Sequence, residues 1–131
     1  MQKFILIGIG GFLGAMLRFI IKEAPLVITS FPLNILIINF VGTLLLAFFL
    51  TVTFEYRGIN PNLRMGIVTG FFGALTTFST LCKDSILLLI NGEYLASFLN
   101  VIISIIGGLL FAYIGFVLAR EIINRKGKQY N

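Results

Sequence analysis

Thr76, Thr77, Ser79 and Thr80 put four hydroxyl groups within five positions, and Gly70 and Gly73 stand just ahead of them. The surrounding segment, about 63 to 90, is otherwise largely apolar. β-Branched threonines and glycines are weak helix formers. Irregular backbone at membrane depth is tolerated only where protein or a water-filled cavity satisfies its polar groups. The pattern predicts a broken helix whose freed carbonyls and hydroxyls face something polar, such as an ion. A Gly/Ser/Thr packing face between membrane helices is the competing explanation. Residue types alone leave both open.

Other polar residues stand in apolar surroundings. Asn39 lies inside a run from Pro32 to Phe54 that has no charge over 23 residues, and Thr43 follows four positions later. That spacing puts both on one helix face. A mid-membrane asparagine is costly unless paired. Either it makes an interhelical hydrogen bond worth about 1 kcal/mol, or it lines a polar track as a donor. Asn100, Ser104 and Gly108 recur every four residues, with Gly107 beside them, and form a second stripe. It reads equally as a packing face. Arg18 closes the first apolar run, where a snorkelling arginine and an anion-attracting one are both consistent with its place. Lys83 and Asp84 come about six residues, or roughly 9 Å, beyond Thr77 on a helix. They are expected to face a vestibule or snorkel outward.

These residues must be held by membrane helices. A chain of 131 residues that is 58% hydrophobic, only 11% charged and of mean hydropathy +1.03 is too apolar for a soluble domain of this size. The class is all-α and polytopic, with the whole length forming a single domain of four spans. Their expected limits are about 4–21, 32–54, 63–91 and 94–119. The first begins after Lys3, and no small-residue cleavage site of a signal peptide follows it. Gly10 and Gly14, and likewise Gly11 and Ala15, stand four apart in it as a close-packing face. Lys22 to Phe31, with Pro25, is a loop, and Pro32 opens the second span. Glu55 to Asn62, with Gly58 and Pro61, is a polar loop, and Gly92 and Glu93 make the last turn. The tail from Arg120 to Asn131 is expected to be a frayed, basic, cytoplasmic end.

Several chemistries are excluded. The chain has no histidine and one cysteine, Cys82, so it builds no disulfide and no Cys/His metal site. No Ser–His or Cys–His pair is available for nucleophilic catalysis, so an enzyme is not expected. The net charge of +5 collects at segment ends, where it reports topology rather than nucleic-acid binding.

Gly10-Gly11-Phe12-Leu13-Gly14-Ala15-Met16-Leu17-Arg18 resembles the GGxxGAxxR of the Fluc (CrcB) fluoride channels. Asn39-Phe40-Val41-Gly42 is similar to their second-span NxxG, and Gly70 to Thr80 to their third-span GFxGGxTTFST. The three motifs occur in the family's order and cover nearly the whole chain. The resemblance implies an antiparallel, dual-topology dimer of four-helix subunits in the plasma membrane, with two fluoride pores. It also implies a structural sodium ion (Na+) at the dimer centre, held by the backbone carbonyls of Gly73 and Thr76. Asn39 matches the asparagine that lines the pore, and Phe78 one of two phenylalanines whose ring edges face the anion. Thr77 and Ser104 match polar positions on the track, which Thr43 would join. Fluoride is small and strongly hydrated, so a dry pore must replace its water. The Asn39 amide can donate, and the electropositive edge of Phe78 can meet an anion.

The chain departs from the family pattern at five positions. Leu81 stands for the usual second phenylalanine, Ile35 for a threonine, Asn34 for a glycine, Asn100 for a tyrosine and Gly108 for a serine. These changes strip ring edges and hydroxyls from one track. A half-pore or non-conducting subunit of a heterodimeric fluoride channel, paired with a paralog, is therefore the alternative to a homodimer. A small multidrug antiporter also has four antiparallel spans but needs a membrane-embedded carboxylate. Segment 4–21 has none, and Asp84 is the only acidic residue inside any span.

Overall fold

The computed structural model describes residues 1–23, 31–55 and 59–127, with side chains through Arg125. Pro25, Arg57, Gly58 and Lys128, and the side chain of Lys126, lie outside the described residues. Helices α1 (Gln2–Glu23) and α2 (Leu33–Glu55) come first. The third span is composite. It runs through α3 (Pro61–Met65), a wide π-helical stretch (Gly66–Phe72), α4 (Gly73–Leu75) and α5 (Phe78–Ile90). Helix α6 (Tyr94–Gly127) is the last described element. Among the described residues, four helices or helix stacks are thus long and apolar enough to cross a membrane. The chain is a multi-pass, all-α membrane protein.

Local chemistry sets the ends. The Asn60 side chain caps α3 by accepting from the Asn62 N–H at 2.9 Å, and Pro61 takes the first position, where no donor is needed. Gly92, at φ +80°, makes the left-handed turn between α5 and α6 that a side chain would strain. The expectation of a frayed tail from Arg120 is corrected: α6 continues to Gly127. An i,i+4 pair between Arg125 and Glu121 at 2.9 Å lies on this last stretch.

Helix α1 lies along the π-helical stretch, α2 along α6, and α5 against α6. The α1 seam is backbone against backbone. A Cβ on Gly10 would overlap the Gly66 carbonyl oxygen, one on Gly14 the Phe71 carbonyl oxygen, and one on Gly70 the Ile7 carbonyl oxygen at 2.5 Å. Small residues let membrane helices approach this closely and gain dispersion contact where no hydrophobic effect separates lipid from protein. The widened stretch, in which the Gly73 N–H reaches the Val68 carbonyl five residues back, lies just where α1 presses in. The core joins α2 to the third span through Ile35, Ile38, Phe72 and Leu75, with Phe49, Ile67 and Phe71 packed against them. Phe4, Ile9, Phe12, Phe19, Leu95, Phe98 and Leu109 face outward, as a lipid-facing surface requires.

Candidate ion site at the third span

Helix α4 ends at Leu75 and α5 begins at Phe78. Between them Thr76 (φ −82°, ψ 141°) and Thr77 (φ −147°, ψ 126°) are extended. Gly70 lies in the π-helical stretch and Gly73 in α4, so the extended backbone is confined to the two threonines.

Asn39 of α2 holds this point with both ends of its amide. The Thr77 N–H donates to Asn39 Oδ1 at 3.0 Å, and Asn39 Nδ2 donates to the Thr77 carbonyl at 3.3 Å. Three residues on, Gly42 makes room for Thr76, whose methyl would lie 2.6 Å from a Cβ there. Thr76 in turn donates its hydroxyl to the Phe72 carbonyl at 2.9 Å. Thr77 caps α5: its Oγ1 accepts a long bond from the Thr80 N–H at 3.5 Å and lies 2.9 Å from Ser79 Oγ.

These bonds leave two carbonyls without their helical donors. In a continuous helix the Thr77 N–H would donate to the Gly73 carbonyl and the Thr80 N–H to the Thr76 carbonyl. Here the first goes to Asn39 and the second to Thr77 Oγ1. Gly73 is exposed, and nothing blocks its α-carbon side more closely than 3.9 Å. Backbone carbonyls of this kind are hard oxygen ligands suited to a small cation. Among the described residues, no group of three or more His, Cys, Asp or Glu could hold a metal instead.

A groove of about 210 Å³ opens beside the extended threonines, lined by Asn39, Phe40, Thr43, Thr76, Thr77, Phe78, Ser104 and Gly108. It brings together Asn39, Thr43, Thr77, Phe78 and Ser104 from three spans. The α5 N-terminus opens at the groove, where its unpaired N–H groups and partial positive charge favour an anion. The Phe78 ring is 76% exposed. Ser104 Oγ is buried with no hydrogen-bond partner among the described residues.

Other expected residues lie elsewhere. Arg18 is half-buried on α1, and Lys83 is exposed. Asp84 is half-buried, within electrostatic reach of Lys22 and Lys83. Leu81 is buried in the subunit at 8% exposure and does not line the groove. Ile35 belongs to the core.

Sequence reasoning missed a second polar knot. Ser97 Oγ donates to the Ser85 carbonyl at 2.8 Å and Asn100 Nδ2 donates to Ser85 Oγ at 3.0 Å, joining α6 to α5. Asn100 is 1% exposed, and its Oδ1 has no partner among the described residues. Ser97 stands three residues before Asn100 and so extends the α6 stripe, a spacing that was there to be read.

Four helices able to span a membrane, with a polar groove at an irregular mid-span backbone, mark a small multi-pass membrane protein, and the family its sequence matches is one of channels rather than enzymes. Residues 5–116 match the family described as CrcB-like protein, Camphor Resistance (CrcB), and the chain belongs to it. Similar proteins include a "Fluoride-specific ion channel FluC" of Methanococcus aeolicus, 34% identical over 94% of this chain and 99% of that one. "Fluoride-specific ion channel FluC 2" of Carboxydothermus hydrogenoformans is 38% identical over 94% and 91%. The FluC of Campylobacter fetus is 40% identical over 87% and 91%.

Proposed function

We propose that this chain is a fluoride-selective channel that lets cytoplasmic fluoride leave passively, down its electrochemical gradient. The observation that carries the reading is the groove at Thr77, where Asn39, Thr43, Thr77, Phe78 and Ser104 converge on the positive end of α5. The relatives' printed names support the identity of the ion. Fluoride crosses if its water is replaced along the path. Thr43, Thr77 and Ser104 offer hydroxyl donors. Asn39 Nδ2 keeps a second N–H beyond the one given to Thr77. The Phe78 ring edge stabilises an anion without holding it tightly.

The exposed ring of Phe78 and the exposed backbone at Gly73 support an assembly in which a second subunit completes the path. We take that assembly to be an antiparallel dimer in the plasma membrane. A sodium ion at its centre would be held by the Gly73 and Thr76 carbonyls, supplying the charge that two diverted N–H groups no longer supply.

The observation favouring a heterodimer is charge. With the termini and second loop on one side, that side carries Lys3, Arg57, Arg64, Arg120, Arg125, Lys126 and Lys128, seven basic residues, or five without the distal Lys126 and Lys128. The other side carries Arg18, Lys22 and Lys83, which is three. The positive-inside rule then favours cytoplasmic termini in every copy, against the simpler homodimer, which tolerates a residual bias. A partner of opposite orientation would be a paralog.

Fluoride efflux from liposomes tests the function. The protein purified alone should pass fluoride without a proton gradient, and Asn39→Asp, which sets a carboxylate on the anion path, should abolish it. Wild-type efflux by Asn39→Asp would sink the pore assignment. Inactive, uniformly oriented chains rescued by a co-expressed paralog would establish the heterodimer.

A further inference from the structure

Asn39 does more than face the groove. Resting on the sodium reading above, we infer that the Asn39 carboxamide is a positioning residue for the cation site. By capturing the Thr77 N–H, it keeps the Gly73 carbonyl from being reclaimed by the helix.

The geometry is specific to that task. A side-chain amide meeting one residue's N–H and carbonyl together copies the two-point pairing of backbone with backbone. Both bonds here, at 3.0 and 3.3 Å, go to the single residue Thr77. Thr77 is four residues after Gly73, so its N–H is the donor the Gly73 carbonyl would otherwise find. An unpaired N–H buried in a membrane protein is costly. Without Asn39, the least costly partner for the Thr77 N–H is that same carbonyl, and α4 would run on toward α5. Gly42, three residues along α2, cooperates by admitting the Thr76 side chain beside the extended backbone. The Asn39 and Gly42 pair is therefore one device. The asparagine takes the donor, and the glycine leaves room for the displaced threonine.

The anion path and the cation site thus share one side chain. Asn39 borders the groove, and its Oδ1 takes the N–H that the Gly73 carbonyl would otherwise hold.

The two roles separate by substitution. Asn39→Asp keeps an acceptor for the Thr77 N–H in either protonation state, yet it changes the group facing the anion. Asn39→Ala removes the acceptor, and Asn39→Ser shortens the side chain by one atom so that it no longer reaches. The measurement is thermal unfolding of the purified full-length protein in detergent. Melting is followed in sodium chloride and in N-methylglucamine chloride at equal ionic strength, with liposome fluoride efflux alongside. A cation that binds only the folded assembly raises its melting temperature. The wild type should show a sodium-dependent rise of several degrees. Asn39→Asp should keep most of that rise while losing efflux. Asn39→Ala should lose the rise, and Asn39→Ser carries the same comparison if the alanine variant does not fold. A full sodium-dependent rise in Asn39→Ala or Asn39→Ser overturns the inference and leaves the sodium reading intact. A wild type indifferent to sodium overturns the sodium reading itself. Loss of the rise in Asn39→Asp as well as in the other variants also overturns the inference, because the captured donor would then not be what matters.

Discussion

Gly42→Ala offers a quantitative probe of the contact between α2 and the extended threonines. The added methyl would lie 2.6 Å from Thr76 Cγ2, with its next neighbours on Leu75 at an ordinary 3.7 and 3.8 Å. Carbon atoms prefer about 3.5–4.0 Å, so one contact alone falls short by roughly 1 Å. Thr76 cannot swing away freely, because its hydroxyl donates to the Phe72 carbonyl at 2.9 Å. Rotation would give up a bond worth about 1 kcal/mol. Leaving it in place costs about 1–3 kcal/mol of overpacking. Thr76→Ser removes the offending methyl and keeps the hydroxyl. A double-mutant cycle therefore has a definite expected form. Gly42→Ala should lose about 1–3 kcal/mol of stability. Thr76→Ser alone should be mild. The double variant should recover about 1–2 kcal/mol of the loss as coupling energy. Thermal melting in detergent reads each corner, at several degrees per kcal/mol, and fluoride efflux should recover in parallel. A double variant no more stable than Gly42→Ala alone would refute the contact.

Other expectations follow from burial. Phe78→Ile should lower fluoride flux and cost less melting stability than Phe72→Ile, because the Phe78 ring is 76% exposed within the subunit, whereas the change at Phe72, at 7% exposure in the core, should cost about 1–2 kcal/mol; equal melting losses at the two sites would contradict that division. Asn100→Leu combined with Ser85→Ala should melt at or above the wild type, since replacing both partners gives up one bond worth about 1 kcal/mol, leaves no Ser85 hydroxyl unpaired and relieves a buried Oδ1 whose lack of a partner costs about 1–3 kcal/mol. A fall of more than about 1 kcal/mol would mean that a bound water or ion satisfies that oxygen.

The sequence by itself determined the class. Apolar runs of about 20 residues have no stable home but a bilayer or a large core, and 131 residues cannot build the large core. It also marked Asn39, Thr43, Thr77 and Ser104, because polar groups in such runs stand out against their surroundings, whereas Phe78 was marked only by the motif resemblance. The packing use of Gly10 and Gly14 was legible from their spacing of four, although their partners on the third span were not. What only the tertiary structure decided was who answers whom. Asn39 and Thr77 lie 38 positions apart, and no periodicity within either span says that one amide will take one backbone N–H. The π-helical stretch was invisible for the same reason, since it lies where α1 presses its glycines onto Gly66 and Gly70. Leu81 and Ile35 were read as gaps in a polar track, yet both turn into the subunit interior. The tail expected to fray instead stays helical to Gly127. Spacing fixes which residues share a helix face, but the rotation of each helix is set by its neighbours. Close approach at glycines and the need to pair every buried N–H are properties of the assembled bundle, not of any one segment.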